Sequence, residues 1–374
     1  MKMGFWEATA TLVGTIIGAG ILGVPYVIAQ VGVFWGVIMI VILGIATILL
    51  NLMFAEVVLR TKSLHQIAGY AKKYLGMIPY RVEIAALLVG SYGAMVAYLI
   101  GEGEVLSAVF GGDKLIYSLG FLVLGSLILW FGLKLVKVFE LWLVFAFIFI
   151  VFIIIAFSSS SLTFENLQYS NLKNVFTPYG VILFAYGGAA SIVAMRQILK
   201  RKESQLRTAV VLGTVIPMVI YIAFSVIVVG VTGIGTTEVA TVGLGQALGP
   251  AMILFCNLFA FFAMGTSFLT IGIVMIQFFK FDMKLSKFWS WFLVVVVPLL
   301  LFLLVTKDFI RTMGVAGSLS FGLTGIIIVS CFWKVKKMGN RKPEFSLPKM
   351  KIFGGLLIVM FLLGIVYTIV DLLT

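Results

Sequence analysis

Residues 14–26 read GTIIGAGILGVPY, a run apolar enough to cross a membrane that nevertheless carries Gly14, Gly18, Gly20, Gly23 and Pro25. Each glycine costs a helix about 1 kcal/mol relative to alanine, and proline about 3 kcal/mol. Gly-x-x-x-Gly spacing can serve close helix packing. It can also mark a span that is meant to break. Which reading holds depends on the rest of the chain.

The 374 residues are 62% hydrophobic and 11% charged, with a mean hydropathy of +1.20. Soluble domains are about a quarter charged, so the chain reads as an integral membrane protein. The first apolar stretch runs past Tyr26 without an A-x-A-like cleavage site and reads as a mature span. Spans need about 20 mostly apolar residues. That rule gives eleven: 6–30, 33–58, 82–109, 115–133, 138–158, 175–199, 208–232, 249–279, 288–305, 312–333 and 352–372. Their long apolar runs lack period-2 alternation, which selects helices over a barrel. The expected fold class is an all-α integral membrane protein.

The net charge of +13 would suggest nucleic acid in a soluble protein. Here the positive-inside rule accounts for it, and no nucleic-acid partner is expected. With the N-terminus in the cytoplasm, all basic residues but Lys114, Lys173, Lys307 and Arg311 fall on the inner side. The C-terminus is then extracellular, and the chain is expected in the plasma membrane as a monomer in the lipid bilayer. Residues 61–80 read as a short amphipathic helix on the inner surface, and 233–248 as an outer segment long enough to fold over a vestibule. Cys256 and Cys331 read as buried small hydrophobes. His65, in a basic loop, has no partner ligands nearby. No nucleophile elbow or metal motif is present, and an enzyme is not expected.

Residues 1–158 hold five spans, 172–333 hold five more, and 352–374 hold the last. Five is odd, so the second half starts on the opposite side and the repeat is inverted. The first span of each half is glycine-broken, at GAG (18–20) and at FAYGGAA (184–190). Matched breaks in two halves are the best sequence pointer to a transporter's binding site. An unwound helix exposes N–H and C=O groups, which persist in a membrane only where they line a cavity or meet a ligand. Half-helix N-termini favour anions, and C-terminal ends favour cations. A site with both suits a zwitterion such as an amino acid.

GTIIGAGILGVPYVIAQVG (14–32) resembles the first span of the amino acid–polyamine–organocation (APC) superfamily, closest to its amino acid/auxin permease branch. That branch includes sodium-coupled neutral amino acid transporters and aromatic amino acid permeases. FAEVVLR (54–60), SLHQIAGYAKKYLG (63–76), AYLIGEGEVLSAVFG (97–111) and FAYGGAASIVAMRQILKRK (184–202) fit the same family, so the resemblance covers nearly the whole chain. It implies the LeuT fold: a 5+5 inverted repeat plus one extra helix, a bundle of spans 1, 2, 6 and 7 against a scaffold of spans 3, 4, 8 and 9, and alternating access. It places a substrate carboxylate at the amides of Gly18, Ala19 and Gly20. The α-amine would lie at carbonyls near Phe184, Ala185 and Gly187, with Gly188 beside them. Phe184 or Tyr186 would be the aromatic gate. Tyr98 is either a wall residue or an aromatic packed between helices.

For the coupling ion, Ala263, Thr266 and Ser267 match the A-x-x-[ST]-[ST] spacing of the sodium site of this fold. Hydroxyls at i+3 and i+4 share one helix face with residue i. If that turn loosens, the Ala263 carbonyl joins them, and carbonyls of Gly14 and Ile17 complete a shell of neutral oxygens. Thr266 and Ser267 can instead bond within their helix. Some proton-coupled relatives carry a lysine in span 5, and LWLVFAFIFIVFIIIAF (141–157) has none. Sodium is therefore favoured, with the proton as the alternative ion. Glu56 and Glu83 read as interfacial. Glu7 and Glu140 lie at inner ends where basic partners are close. Glu102 or Glu104 can be a proton site or an outer gate residue, or both can be solvated. With no carboxylate in the glycine-broken stretches, the expected substrate is a neutral L-amino acid, apolar or aromatic. A passive facilitator or channel is the reading of a different class, and the spans show too few aligned polar residues for a continuous pore.

Overall fold

The computed structural model describes residues 3–131, 136–200, 202–305 and 307–373, and these form helices and turns without a strand. Lys2, Lys134 and Arg201 lie outside the described residues, as do the side chains of Lys137 and Glu140. In chain order the helices are α1 (Met3–Ile16), α2 (Gly20–Val31), α3 (Val33–Leu59), α4 (Ile67–Leu75), α5 (Met77–Phe110) and α6 (Lys114–Phe131). There follow α7 (Val136–Ser158), α8 (Phe164–Gln168), α9 (Thr177–Ala185), α10 (Ser191–Ile198), α11 (Leu206–Thr232) and α12 (Ala240–Leu248). The last are α13 (Pro250–Gln277), α14 (Lys287–Leu304), α15 (Phe309–Val315), α16 (Gly322–Met338) and α17 (Lys351–Leu373), with a π-helical turn, Ala316–Phe321, joining α15 to α16.

Among the described residues, eight helices are long and apolar enough to cross a membrane, or nine if the pair bent by 53° at residues 17–19 is one span. Two of the eleven expected spans fall short of that measure. In 138–158 the apolar helix so recognised is Ala146–Ser161. The other, 175–199, is cut into pieces of nine and eight residues, α9 and α10. Expected inner segment 61–80 carries α4, and 233–248 carries α12.

The helices sort by their neighbours. α1, α2, α3, α9, α10 and α11 pack on one another, and α5, α6, α13 and α14 form a second set. α3 is apolar all round, and its residues 50–59 are all buried. Such a helix has no solvent face to declare. Between α2 and α3 the chain turns at Gly32 (φ 94°), where a methyl group would lie 2.2 Å from the Tyr169 carbonyl oxygen. Only glycine suits that conformation and that approach. The ring of Tyr179 (α9) lies over Gly364 of α17, and its hydroxyl donates to the Met360 carbonyl at 3.3 Å.

Most described basic residues lie at one end of the helices, hereafter the basic face. There the C-terminal carbonyls of α3, which no longer have helical partners, are capped by arginines. Arg196 donates to Thr61 O at 2.8 Å and also to Val58 O, and Arg341 donates to Leu59 O at 2.8 Å. Glu203 pairs with both arginines. Fully buried Glu56 takes Arg60 at 2.6 Å, Lys336 at 2.5 Å and the Leu347 amide at 2.7 Å. The carboxylates and cations of this layer satisfy one another, as buried charge must. It ties α3 and α10 to the segment after α16.

Candidate functional site

The two breaks meet. A methyl group on Gly20 would lie 2.6 Å from Ala185 Cα, so the first turn of α2 rests directly on the last turn of α9. The backbone at the first break changes partner: the Gly18 amide donates to Ile16 O at 2.9 Å rather than to Gly14 O, and Leu22 N reaches Ala19 O at 3.0 Å. The carbonyls of Gly14 and Ile17 and the amides of Ala19 and Gly20 are left without a hydrogen-bond partner among the described residues. At the second break Gly187 N donates to Phe184 O at 3.0 Å, and Ser191 N donates to Gly188 O at 3.0 Å. The Gly187 carbonyl is likewise unpartnered. Free amides thus open α2, and free carbonyls close α1 and flank α9. This is the dipole arrangement that takes an anion and a cation side by side.

A tyrosine that sequence reasoning missed pins the two breaks together. The Tyr221 hydroxyl (α11) lies 2.6 Å from Ile16 O and 2.9 Å from Ala185 O, and shares its one proton between them. These carbonyls end α1 and α9. Nothing in the apolar run around Tyr221 distinguishes it, since its partners are 205 and 36 residues away.

A cavity of about 350 Å³ lies against the breaks, lined by Gly14–Gly20 and by Phe184, Ala185, Gly187 and Gly188. Tyr98, Thr266, Ser267 and Phe321 complete its deep end. From there its walls run along α5 and α13 toward the basic face, through Ser91, Leu87 and Glu83 on one side and Thr270 and Val274 on the other, to Ile67 of α4. Exposed Thr15, Thr270 and Val274 sit on these walls. On the opposite side the molecule is closed, with Ile100, Gly101 and Phe309 buried.

Most expected substrate residues line this cavity, with one exception. Tyr186 turns away: its hydroxyl donates to Ile40 O at 3.0 Å, and its ring meets Tyr221 edge to face at 5.6 Å. Following the break by one residue, it points into the α3 and α11 packing. Of the two gate candidates, Phe184 faces the cavity, in edge contact with Phe321 at 6.1 Å. The Gly18 amide and the Phe184 carbonyl are already bonded within the chain, and Gly188 O takes both the amide and the hydroxyl of Ser191. Glu83 also departs from expectation. It is buried in the cavity wall rather than interfacial, and Thr324 donates to its carboxylate oxygens at 3.1 Å. Phe321 ends, and Thr324 follows, a π-helical turn whose position the sequence did not signal.

The hydroxyl pair lies beside the first break. A methyl on Gly18 would be 3.2 Å from Ser267 Oγ, and Tyr98 and Ser267 line the same cavity. The turn is not loosened, however. α13 is continuous, Ser267 donates to Ala263 O at 2.8 Å, and Thr266 donates to Phe262 O at 2.8 Å and Ala263 O at 3.3 Å. Ala263 O is therefore occupied by hydroxyl protons and is no free ligand. The hydroxyl oxygens keep their lone pairs, and Gly14, Ile17, Thr266 and Ser267 share the cavity wall.

Broken helices meeting at a cavity inside a multi-pass helical bundle define a membrane permease of the LeuT fold. The chain belongs to the tryptophan/tyrosine permease family, whose model matches residues 1–371. Tyrosine-specific transport system 1 of Haemophilus influenzae is 25% identical over 96% of this chain and 94% of its own length. Glutamine transporter 2 of Aliivibrio fischeri is 23% identical over 85% of each. Among solved structures, MhsT in complex with L-phenylalanine superposes with a TM-score of 0.67 at 15% identity, covering 99% of this chain and 98% of that one. A manganese transporter mutant of Eremococcus coleocola gives 0.67 at 13% identity, over 99% and 88%. These likenesses concern the fold.

Proposed function

We propose that the chain is a secondary active importer of a neutral L-amino acid, with an aromatic side chain favoured, working by alternating access. The observation that carries this reading is the junction of the breaks, where unpartnered amides and carbonyls face one cavity. The substrate carboxylate binds the Ala19 and Gly20 amides at the start of α2. The α-amine takes the Gly187 carbonyl, and Phe184, Phe321 and Tyr98 enclose the side chain. The relatives named for tyrosine and glutamine agree with a neutral substrate. Among the described residues no three His, Cys, Asp or Glu side chains converge, as a transition-metal cargo would want.

The proposed setting is the plasma membrane, with the N-terminus cytoplasmic, the C-terminus extracellular and the protein monomeric. Its halves, 1–158 and 172–333, form the inverted repeat of the APC superfamily. In that setting the cavity extends inward. The proposed coupling ion is sodium, held by the Thr266 and Ser267 hydroxyl oxygens with the Gly14 and Ile17 carbonyls. The proton is the second reading, and unpaired Glu102 favours it. Uptake of labelled L-tyrosine into proteoliposomes, with sodium and pH gradients imposed separately, tests both. Accumulation under a sodium gradient supports the first, and accumulation under a pH gradient alone supports the second. Equilibration without accumulation under either gradient would replace symport by facilitated diffusion.

A further inference from the structure

The cavity-facing stripe of α5 runs through Glu83, Leu87, Ser91, Ala94 and Tyr98 at helical spacing. The next residue on that stripe is Glu102, one turn beyond the closed end. It is 0% exposed, and neither carboxyl oxygen has a hydrogen-bond partner among the described residues. Four other acids of the helix layer have partners. Glu56 has Arg60 and Lys336, Glu203 has Arg196 and Arg341, Glu104 has Lys114, and Glu83 has Thr324.

Among the described residues, the elements packed around Glu102 offer it no ionic partner. α13 presents Gly265, where a methyl would lie 3.6 Å from Glu102 Oε1, and Met264. α6 presents Phe121 and Ser118, whose hydroxyl is committed to Leu99 O at 2.7 Å. Lys114 of α6 is held by Glu104 at 2.9 Å, and Tyr117 of α6 lies against Phe110. α15 presents Phe309. On its own helix the titratable neighbour one turn away is Tyr98, which lines the cavity. An ionised carboxylate in such surroundings is very costly, whereas a protonated one is neutral.

We infer that Glu102 is a proton-binding site of the transport cycle. It is loaded when the face opposite the basic one opens and sealed, with its proton, in the conformation described here. Tyr98, one turn before Glu102 on α5, is the last residue of the stripe that lines the cavity, so the movement that opens or closes the stripe at Tyr98 decides which solution the carboxyl meets. The chemistry is one proton bound and the same proton released. The inference rests on the second, proton-coupled reading of the transport cycle above.

The test has two arms on the full-length protein in lipid. Infrared spectra at neutral pH read protonated carboxyls directly. Glu102→Gln is expected to remove part of that absorption, whereas Glu104→Gln leaves it intact. Glu102→Asp is expected to shift it, and this serves if the amide variant does not assemble. An absorption unaffected by both Glu102 variants overturns the proposal. In vesicles, Glu102→Gln is expected to retain exchange of labelled for unlabelled L-tyrosine and to lose accumulation under a proton gradient at least tenfold. Wild-type accumulation by the variant under that gradient overturns the proposal. A wild-type protein that does not accumulate under a proton gradient defeats the proton-coupled reading instead, and the infrared comparison still decides the proton site.

Discussion

Tyr221→Phe removes one oxygen and leaves the ring in place. In the native protein that hydroxyl donates to Ile16 O at 2.6 Å, which also accepts the Gly18 amide, and to Ala185 O at 2.9 Å, which has no backbone donor among the described residues. Tyr221 is 0% exposed, so bulk water does not replace it. Leaving a buried acceptor unpaired costs about 1–3 kcal/mol. Ile16 O keeps the Gly18 amide, so the acceptor left unpaired is Ala185 O, and the loss is counted once, at about 1–3 kcal/mol. It falls on the contact between α1 and α9, so it is expected to weaken substrate binding as well as stability. At 1.4 kcal/mol per tenfold, the dissociation constant should rise by about 5–150-fold. Equilibrium binding of labelled L-tyrosine and thermal unfolding, measured on the same detergent preparation, provide the readout. Tyr186→Phe is the matched control, since it loses a bond to Ile40 O outside the cavity. It should lower stability with little change in affinity. If Tyr221→Phe binds as wild type, or if the two variants weaken binding equally, the two-carbonyl pin is not what organises the site.

Three further outcomes follow from the geometry. Gly20→Ala places a methyl 2.6 Å from Ala185 Cα, backbone that cannot rotate away. It should cost about 1–3 kcal/mol of stability and abolish uptake, whereas wild-type uptake would show that the breaks do not need to touch. Thr266→Ala with Ser267→Ala should remove any stabilisation by sodium in thermal unfolding and leave binding of L-tyrosine at saturating salt reduced by less than tenfold. Persistence of a sodium-dependent shift would move the ion elsewhere. Glu238, beside the α15 N-terminus, accepts the Phe309 amide at 3.0 Å, and burial, then Asp308 and Glu104, raise its carboxyl above 4.5. A raised folded-state value means stability present below about 4.5 and lost as pH rises through the folded value. Glu238→Gln should flatten that acid-side dependence, and an unchanged pH–stability curve would refute the assignment.

The helix breaks were legible because glycine and proline report on the backbone itself. GAG and FAYGG name the positions where α1 gives way to α2 and α9 to α10, and no tertiary information was needed. The facing of side chains on wholly apolar helices was not legible. Tyr186 and Phe184 stand two residues apart, and only the turn geometry after Ala185 decides which of them reaches the cavity. Glu83 looked interfacial from its place near the start of α5. The helix runs further than the apolar stretch suggests, from Met77, and packs under α4 and α16, which buries the carboxylate. Spacing set Thr266 and Ser267 on one face, and both line the cavity, but spacing could not reveal that α13 stays wound at Ala263. Tyr221 carries no local signal, because its role exists only after distant helix ends have been brought together.

The contact between Tyr179 and α17 has a mechanical consequence. α17 has 23 residues, about 34 Å of helix, against a hydrocarbon layer of about 30 Å. Many of its side chains face outward, among them Leu356, Val359, Leu363 and Val366. A thinner bilayer should tilt it, and any tilt is delivered through the Tyr179 ring seated over Gly364 to the half-helix that ends at the cavity. Bilayer thickness thereby becomes an input to transport. Uptake rates in vesicles of graded acyl length should vary in the native protein and flatten in Tyr179→Ala, and equal dependence in both would uncouple α17 from the site.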